Sequence, residues 1–73
     1  MTRDELIQLR QRAANLGSGD LRDAAEACGW VFVRTKGGHH AYRRAGRRTL
    51  IIPEKVNVGT ARGIINTLIA ALE

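Results

Sequence analysis

The C-terminal segment of the chain carries an apolar stripe that repeats with the period of an α-helix. Its members stand at the spacings i, i+3, i+4, i+7, i+8 and i+11 and are Ala61, Ile64, Ile65, Leu68, Ile69 and Leu72. A stripe this continuous must be buried, and a chain of 73 residues has room for one small core. The sequence therefore predicts a single domain over residues 1–73, built around this helix, with Thr60 as its N-cap.

Two further helical segments precede the middle of the chain. Residues 4–16 place four apolar side chains on one stripe that Gly17 closes, namely Leu6, Leu9, Ala13 and Leu16. We expect Asp20 to cap a second helix that Gly29 ends, with an inner face of Leu21, Ala24, Ala25 and Cys28. A single cysteine excludes a disulfide within the chain, and we expect Cys28 to be a small core residue.

The middle of the chain has the composition of β-strands. Residues 30–35 and 48–52 are rich in aromatic and β-branched side chains, residues 39–44 lie between two glycine-containing turns, and Pro53 follows the third strand. The pattern predicts an α+β domain of order α-α-β-β-β-α, in which a three-stranded antiparallel sheet carries the helices on one face. We expect Trp30 and Phe32 in the core, and Tyr42 either there or available for stacking on bases.

Positive charge is concentrated in the middle third of the chain. Residues 27–53 hold no acidic side chain and six basic ones, which are Arg34, Lys36, Arg43, Arg44, Arg47 and Arg48. Arginine grips phosphate with a planar fork, so we expect nucleic acid or an acidic protein as partner. We expect no membrane partner, because the basic residues do not lie on an amphipathic helix. The acidic N-terminus is unlike a signal peptide, which indicates a cytoplasmic protein.

The two histidines, His39 and His40, follow the Gly37-Gly38 turn directly. Because side chains alternate across a strand, the two rings point to opposite faces and cannot easily act together or chelate one metal. We therefore expect neither a metal nor a cofactor. The sequence suggests no Ser-His-Asp arrangement, although folding could bring an acid to the hairpin from outside it, the candidates being Asp20, Asp23, Glu26 and Glu54.

One reaction suits a histidine beside a flexible turn and a group of arginines. In RNA the 2′-hydroxyl is an internal nucleophile, so an imidazole that moves a proton beside cations that bind phosphate can cleave the strand. General acid-base catalysis of this kind raises the reaction rate by about 10²–10⁴-fold. The alternative is that both histidines are ordinary strand residues.

The same residues resemble the HicA toxins of bacterial type II toxin-antitoxin systems. The resemblance runs from Asp20 to Leu72 and includes the helix that ends in Gly29-Trp30, the Gly37-Gly38-His39 turn, Ile51-Ile52-Pro53, and Gly59-Thr60 before the last helix. It implies a double-stranded-RNA-binding-like fold, ribosome-independent cleavage of mRNA with His39 as the catalytic residue, and a HicB-type antitoxin that covers the active site. The residues expected to bind RNA are Arg34, Lys36, Gly37, Gly38, His40 and Arg43.

The chain departs from the family pattern in two places. Gly38 stands where the family usually has Ser, which removes a hydroxyl from the turn and weakens the expected catalysis. The helix in residues 1–18 is additional, and we expect it to cover the core or to contact a second copy or the antitoxin. Two alternatives stay open: a non-catalytic module that binds RNA or an antitoxin, and a structural interaction domain with no RNA affinity.

Overall fold

The computed structural model describes residues 1–72, and Glu73 at the end of the predicted domain lies outside the described residues. The elements in chain order are α1 (Arg3–Gln11), a 3₁₀ turn (Ala13–Asn15), α2 (Ser18–Ala27), β1 (Val31–Lys36), β2 (His39–Arg43), β3 (Leu50–Pro53) and α3 (Val58–Ala70). This order confirms the predicted α+β class and the α-α-β-β-β-α arrangement. The first helix ends earlier than predicted, because the chain tightens into the 3₁₀ turn before Gly17.

The starts of α2 and α3 differ from the predicted caps. Gly17 precedes α2, and its backbone N–H donates to Asp20 Oδ2 at 2.9 Å, so Asp20 acts from inside the first turn. At α3 the Asn57 side-chain oxygen accepts from the backbone N–H of Thr60 at 2.8 Å. The cap is therefore Asn57 rather than Thr60. Each helix therefore begins about one turn earlier than predicted. The two hydrogen bonds satisfy backbone N–H groups at these earlier starts.

The three strands form an antiparallel meander of order β1-β2-β3. Lys36 pairs with His39 across the turn, and His40 pairs with Ile52 of β3. A bulge interrupts β1 at Val33, between Phe32 and Arg34. Strand β3 begins two residues later than predicted, at Leu50. Directly paired residues share a face of the sheet, so this register assigns every paired side chain to one side.

One face of the sheet packs on the helices. Its members Tyr42 and Ile52 are fully buried, and Leu50 is nearly so. They meet a core supplied by all three helices, which includes Leu6, Leu21, Ala25, Ala61, Ile65 and Leu68. Burial of Leu6 gives α1 a covering role in this core. The opposite side of the sheet, here called the open face, carries Val31, Arg34, Lys36, His39, Ala41, Arg43, Ile51 and Pro53.

The aromatic residues divide between the core and the edge. Trp30 is 3% exposed, as predicted, and Tyr42 is a core residue. The prediction for Phe32 was wrong, since its side chain is 43% exposed. Phe32 lies on an edge strand, where it meets the Tyr42 ring edge to face at 5.6 Å and the Arg22 guanidinium at 5.6 Å. Leu72 is likewise exposed, because α3 ends at Ala70 and the helical period stops there.

Tyr42 anchors a polar contact between the sheet and α2. Its hydroxyl accepts from Arg22 Nε at 3.0 Å and donates to Glu26 Oε2 at 2.9 Å. Burial raises the pKa of the Tyr42 phenol above its ordinary value of 10.0. In the unfolded chain the phenol ionises near that value while the folded protein keeps it neutral. The contribution to stability is therefore intact at neutral pH and is lost as the pH rises past 10.0.

We predict that Tyr42→Phe lowers the free energy of unfolding by about 1 kcal/mol at neutral pH, because two hydrogen bonds are lost. Above the ordinary tyrosine pKa the difference from the unmodified protein should shrink, since only the unmodified protein carries the ionisable phenol. Urea unfolding followed by circular dichroism at both pH values measures this. A difference that is constant with pH would contradict the assignment.

Candidate functional site

The β1–β2 turn depends on its two glycines. Gly37 has a φ of +57° and Gly38 a φ of +78°, the left-handed values that a two-residue type I′ hairpin turn requires at both central positions. Most side chains are strained there, while glycine is not. The turn therefore fixes the pairing of Lys36 with His39 and with it the face on which every residue of β2 lies.

The open face gathers most of the residues predicted to bind RNA. Lys36 lies directly across from His39, and Arg34 lies across from Ala41. Arg43 lies two residues beyond Ala41 on β2, opposite Val31. All four of the polar side chains, Arg34, Lys36, His39 and Arg43, are exposed. The structure thus brings the predicted catalytic histidine and three of the predicted cationic residues to one surface.

The His39 ring is oriented by the backbone of its own turn. Its Nδ1 lies 3.1 Å from the carbonyl oxygen of Gly37. A carbonyl oxygen can only accept, so Nδ1 carries the hydrogen in this contact. In the neutral ring the proton is then absent from Nε2, which is left as an acceptor at the exposed end of the side chain. This is the arrangement that a general base requires.

His40 occupies the opposite side of the sheet from His39. It is 5% exposed, and both ring nitrogens have partners: Nδ1 lies 2.7 Å from Thr35 Oγ1 and Nε2 lies 2.5 Å from Glu54 Oε2. The carboxylate accepts from Nε2–H, and Nδ1 shares the other hydrogen bond with the Thr35 hydroxyl. A ring held in this way has no free donor for a phosphate, so the structure places His40 apart from the other predicted RNA-binding residues.

Glu54 connects this buried histidine to the turn. Its backbone N–H donates to the Gly38 carbonyl at 2.7 Å, while its side chain reaches His40. Of the four acids considered from the sequence, Glu54 is the one that contacts a hairpin histidine, and Glu26 contacts Tyr42. In the sequence, Glu54 directly follows Pro53 at the end of the third strand. In the structure Pro53 pairs with His39, which places Glu54 beside the hairpin. Sequence reasoning missed Thr35, whose pairing with His40 depends on the bulge in β1.

A shallow cleft of about 370 Å³ borders the turn. Its lining residues are Gly37, Gly38, His39, Pro53, Glu54 and Lys55. Within residues 1–72, no three side chains among His, Cys, Asp and Glu come close enough to hold a metal ion. The site offers imidazole, ammonium and guanidinium groups on an open surface.

None of the helices described above has both the length and the apolar character that a membrane crossing demands.

Comparison with protein families matches residues 18–70 to a model described as the HicA toxin of bacterial toxin-antitoxin systems. The chain belongs to the HicA toxin family. No curated protein and no solved structure matches it. The match covers the hairpin, both histidines and Glu54, and it begins at the first residue of α2, so α1 lies outside the matched part of this HicA toxin. As a toxin of a toxin-antitoxin system, this HicA protein has an antitoxin as partner.

We predict that Glu54→Ala lowers the free energy of unfolding by about 1–2 kcal/mol, because the buried His40 Nε2–H loses its acceptor. Glu54→Gln should recover most of this loss, since the amide oxygen still accepts. Lys55→Ala is the matched control, being an exposed neighbour on the same loop, and should change stability by no more than about 0.5 kcal/mol. Equal effects of Glu54→Ala and Lys55→Ala in urea unfolding would show that the contact contributes nothing.

We predict that Gly38→Ser, which installs the usual family residue, destabilises this protein by about 1–2 kcal/mol. The added Cβ would meet only Glu54 Cβ at 3.8 Å, an ordinary contact, so the cost comes from the φ of +78°. Gly19→Ser adds the same side chain in α2, where nothing lies within 4 Å and φ is not positive. Thermal unfolding should separate the two variants, and an unchanged melting temperature for Gly38→Ser would contradict the backbone argument.

Proposed function

We propose that this HicA toxin is an endoribonuclease that cleaves mRNA in the cytoplasm, with His39 as the catalytic base. The observation that carries the proposal is the His39 ring, whose Nδ1 is tied to the Gly37 carbonyl and whose Nε2 is therefore the acceptor. Its surroundings support the proposal, because Lys36 lies across from it and Arg34 and Arg43 occupy the same face. The phosphates of RNA are the partner that such a surface attracts.

The proposed reaction uses the 2′-hydroxyl of the RNA itself. Nε2 of His39 takes the proton from the 2′-oxygen, which attacks the adjacent phosphorus atom. The bond from phosphorus to the 5′-oxygen of the next nucleotide breaks, and that oxygen takes a proton from the Lys36 ammonium or from water. The products are a 2′,3′-cyclic phosphate and a free 5′-hydroxyl. The arginines of the open face stabilise the charge that builds on the phosphate oxygens.

His40 has a positioning role in this proposal. The chain of contacts from Thr35 through His40 to Glu54 ties β1, β2 and the segment after β3 together directly beside the turn. The Glu54 backbone adds a bond to Gly38. These contacts restrain the turn that carries His39, and a catalytic side chain must be held within a fraction of an ångström to be effective. RNA contact then falls to Arg34, Lys36, Gly37, Gly38 and Arg43.

We propose further that the antitoxin is of the HicB type and covers the open face. The supporting observation is that the paired positions of this face hold exposed cations beside exposed apolar groups, Val31 at 66% and Ile51 at 44%. An acidic partner with apolar contacts at its centre complements such a surface. Coverage of His39 would then silence the nuclease.

We predict that His39→Ala lowers the rate of RNA cleavage by at least about 100-fold, the lower bound for a lost general base. The assay is cleavage of a mixed-sequence single-stranded RNA by purified protein in EDTA, with mass spectrometry of the termini to identify the 2′,3′-cyclic phosphate. An RNA with 2′-deoxy sugars should stay intact. Gln8→Ala, at an exposed position of α1, is the control and should cleave at the unmodified rate.

Two outcomes would overturn this reading. Cleavage by His39→Ala at the unmodified rate would remove His39 from the chemistry. Retention of RNA without cleavage by either protein would instead assign a binding module, in keeping with the hydroxyl that Gly38 lacks. That module would show an affinity that falls steeply as salt rises.

A further inference from the structure

The two lysines of the chain both lie beside the turn that carries His39. Lys and Arg together number 12, and all of them except Lys36 and Lys55 are arginines. An arginine guanidinium stays protonated in proteins, whereas a lysine ammonium can give up a proton and take it back. Lys36 pairs with His39, and Lys55 shares the cleft at the turn with it. The basic side chains able to exchange a proton are therefore next to the proposed catalytic base.

The two lysines reach the turn from opposite sides. One belongs to β1, and the other follows β3. Pro53 of β3 pairs with His39, and Lys55 comes two residues later. Because β2 and β3 are antiparallel, the chain beyond Pro53 runs past His39 toward the turn, where the Glu54 N–H donates to the Gly38 carbonyl at 2.7 Å. The central strand thus has one lysine on each side of its histidine.

The cleft at the turn lies on the β3 side of His39. Two segments line it, residues 37–39 of the turn and residues 53–55 at the end of β3 and after it. Within residues 1–72, Lys55 is the one lysine of this lining, and Lys36 lies outside it. The volume of about 370 Å³ is about twelve times that of a water molecule. A phosphate with both of its ester oxygens fits between the two segments.

The Lys55 side chain is available to a ligand in this cleft. It is exposed, and within residues 1–72 it makes no hydrogen bond or ion pair. The neighbouring carboxylate of Glu54 is engaged by His40, with Oε2 at 2.5 Å from Nε2. The ammonium of Lys55 is therefore not held by the carboxylate next to it in the chain.

The direction of the proposed reaction requires a base and an acid on different sides of the phosphate. In an in-line displacement the entering 2′-oxygen and the leaving 5′-oxygen lie on opposite sides of phosphorus. A phosphate in the cleft has His39 on the turn side and Lys55 on the β3 side. Lys36 is on the far side of His39 from the cleft, so it approaches the phosphate from the same side as the base.

We propose that Lys55 is the general acid of the reaction and protonates the leaving 5′-oxygen. The inference rests on the proposed nuclease function and selects the proton donor, for which Lys36 and water are the alternatives. His39 Nε2 takes the proton of the 2′-hydroxyl, and the 2′-oxygen bonds to phosphorus. The 5′-oxygen leaves with the bonding electron pair and takes a proton from Lys55 Nζ. The imidazolium then loses its proton to water, and the neutral amine regains one from water.

The test replaces the leaving oxygen with sulfur. A sulfur atom at the bridging 5′ position leaves as a thiolate, which needs no proton, since thiols ionise at about pH 8.5. Both RNAs carry 2′-O-methyl groups except at one ribose, so that both are cut at the same bond, chosen from those cut in the mixed-sequence RNA. Lys55→Ala should slow cleavage of the oxygen RNA at least about 100-fold and of the sulfur RNA less than about threefold.

Three further variants separate proton transfer from charge. Lys55→Arg keeps the positive charge but not the transferable proton, so it should be as slow as Lys55→Ala on the oxygen RNA. Lys36→Ala is the matched lysine variant and should slow both RNAs by the same factor, because it loses a phosphate contact alone. His39→Ala should slow both RNAs as well, because each reaction needs the base. Circular dichroism should show unchanged folding of the Lys55 variants, whose side chain is exposed.

The outcomes that overturn the inference are distinguishable from failure of the nuclease. Recovery of oxygen-RNA cleavage in Lys55→Arg, or equal slowing of both RNAs by Lys55→Ala, would leave Lys55 as a phosphate-binding charge at most. Rescue by sulfur in Lys36→Ala would assign the acid to Lys36. In each of these cases the nuclease stands. Failure of the unmodified protein to cleave either RNA would remove the proposed function and this inference with it.

Discussion

The alternation of side chains along β2 is the constraint on which the rest of the structure depends. His40 and Tyr42 point to the helices, while His39, Ala41 and Arg43 form the outer side of the same strand. A slip of one residue would exchange the two histidines and bury the one with an exposed nitrogen. The two left-handed glycines of the turn and the burial of Tyr42 both oppose that slip, so the hairpin is fixed from each end.

The same alternation separates the charges. The carboxylates near the sheet, Glu54 and Glu26, contact His40 and Tyr42 on the helical side. Within residues 1–72, the cations at the paired positions of the open face make no ion pair with a carboxylate, although the sequence has seven acids. This separation of acidic and basic side chains costs little free energy of folding, because the cations are exposed to solvent. It also leaves the cations of this face available to the proposed polyanionic partner.

Patterns with a strong period were predictable from the sequence, and contacts between distant segments were not. The stripe from Ala61 to Ile69 is core because its spacing admits no other place. Phe32 was misplaced because its exposure depends on β1 being an edge strand, which strand composition does not reveal. The capping error at α3 has a local cause: Asn57 and Thr60 are both good caps, and Val58 joins the helix before the apolar stripe begins. The Thr35 contact with His40 required the bulge and the register together.

A domain of this size cannot enclose a substrate, and that limit shapes the chemistry available to it. Because the helices cover one side of the sheet, the other side is the surface on which a long ligand, such as the proposed RNA substrate, can lie flat. Rigidity has to come from the covered side of the sheet, where Thr35, His40 and Glu54 connect three segments beside the turn that carries the proposed catalytic residue. The buried histidine thus supports the exposed one, and two neighbouring residues of the same type serve different ends because the strand directs them to opposite faces.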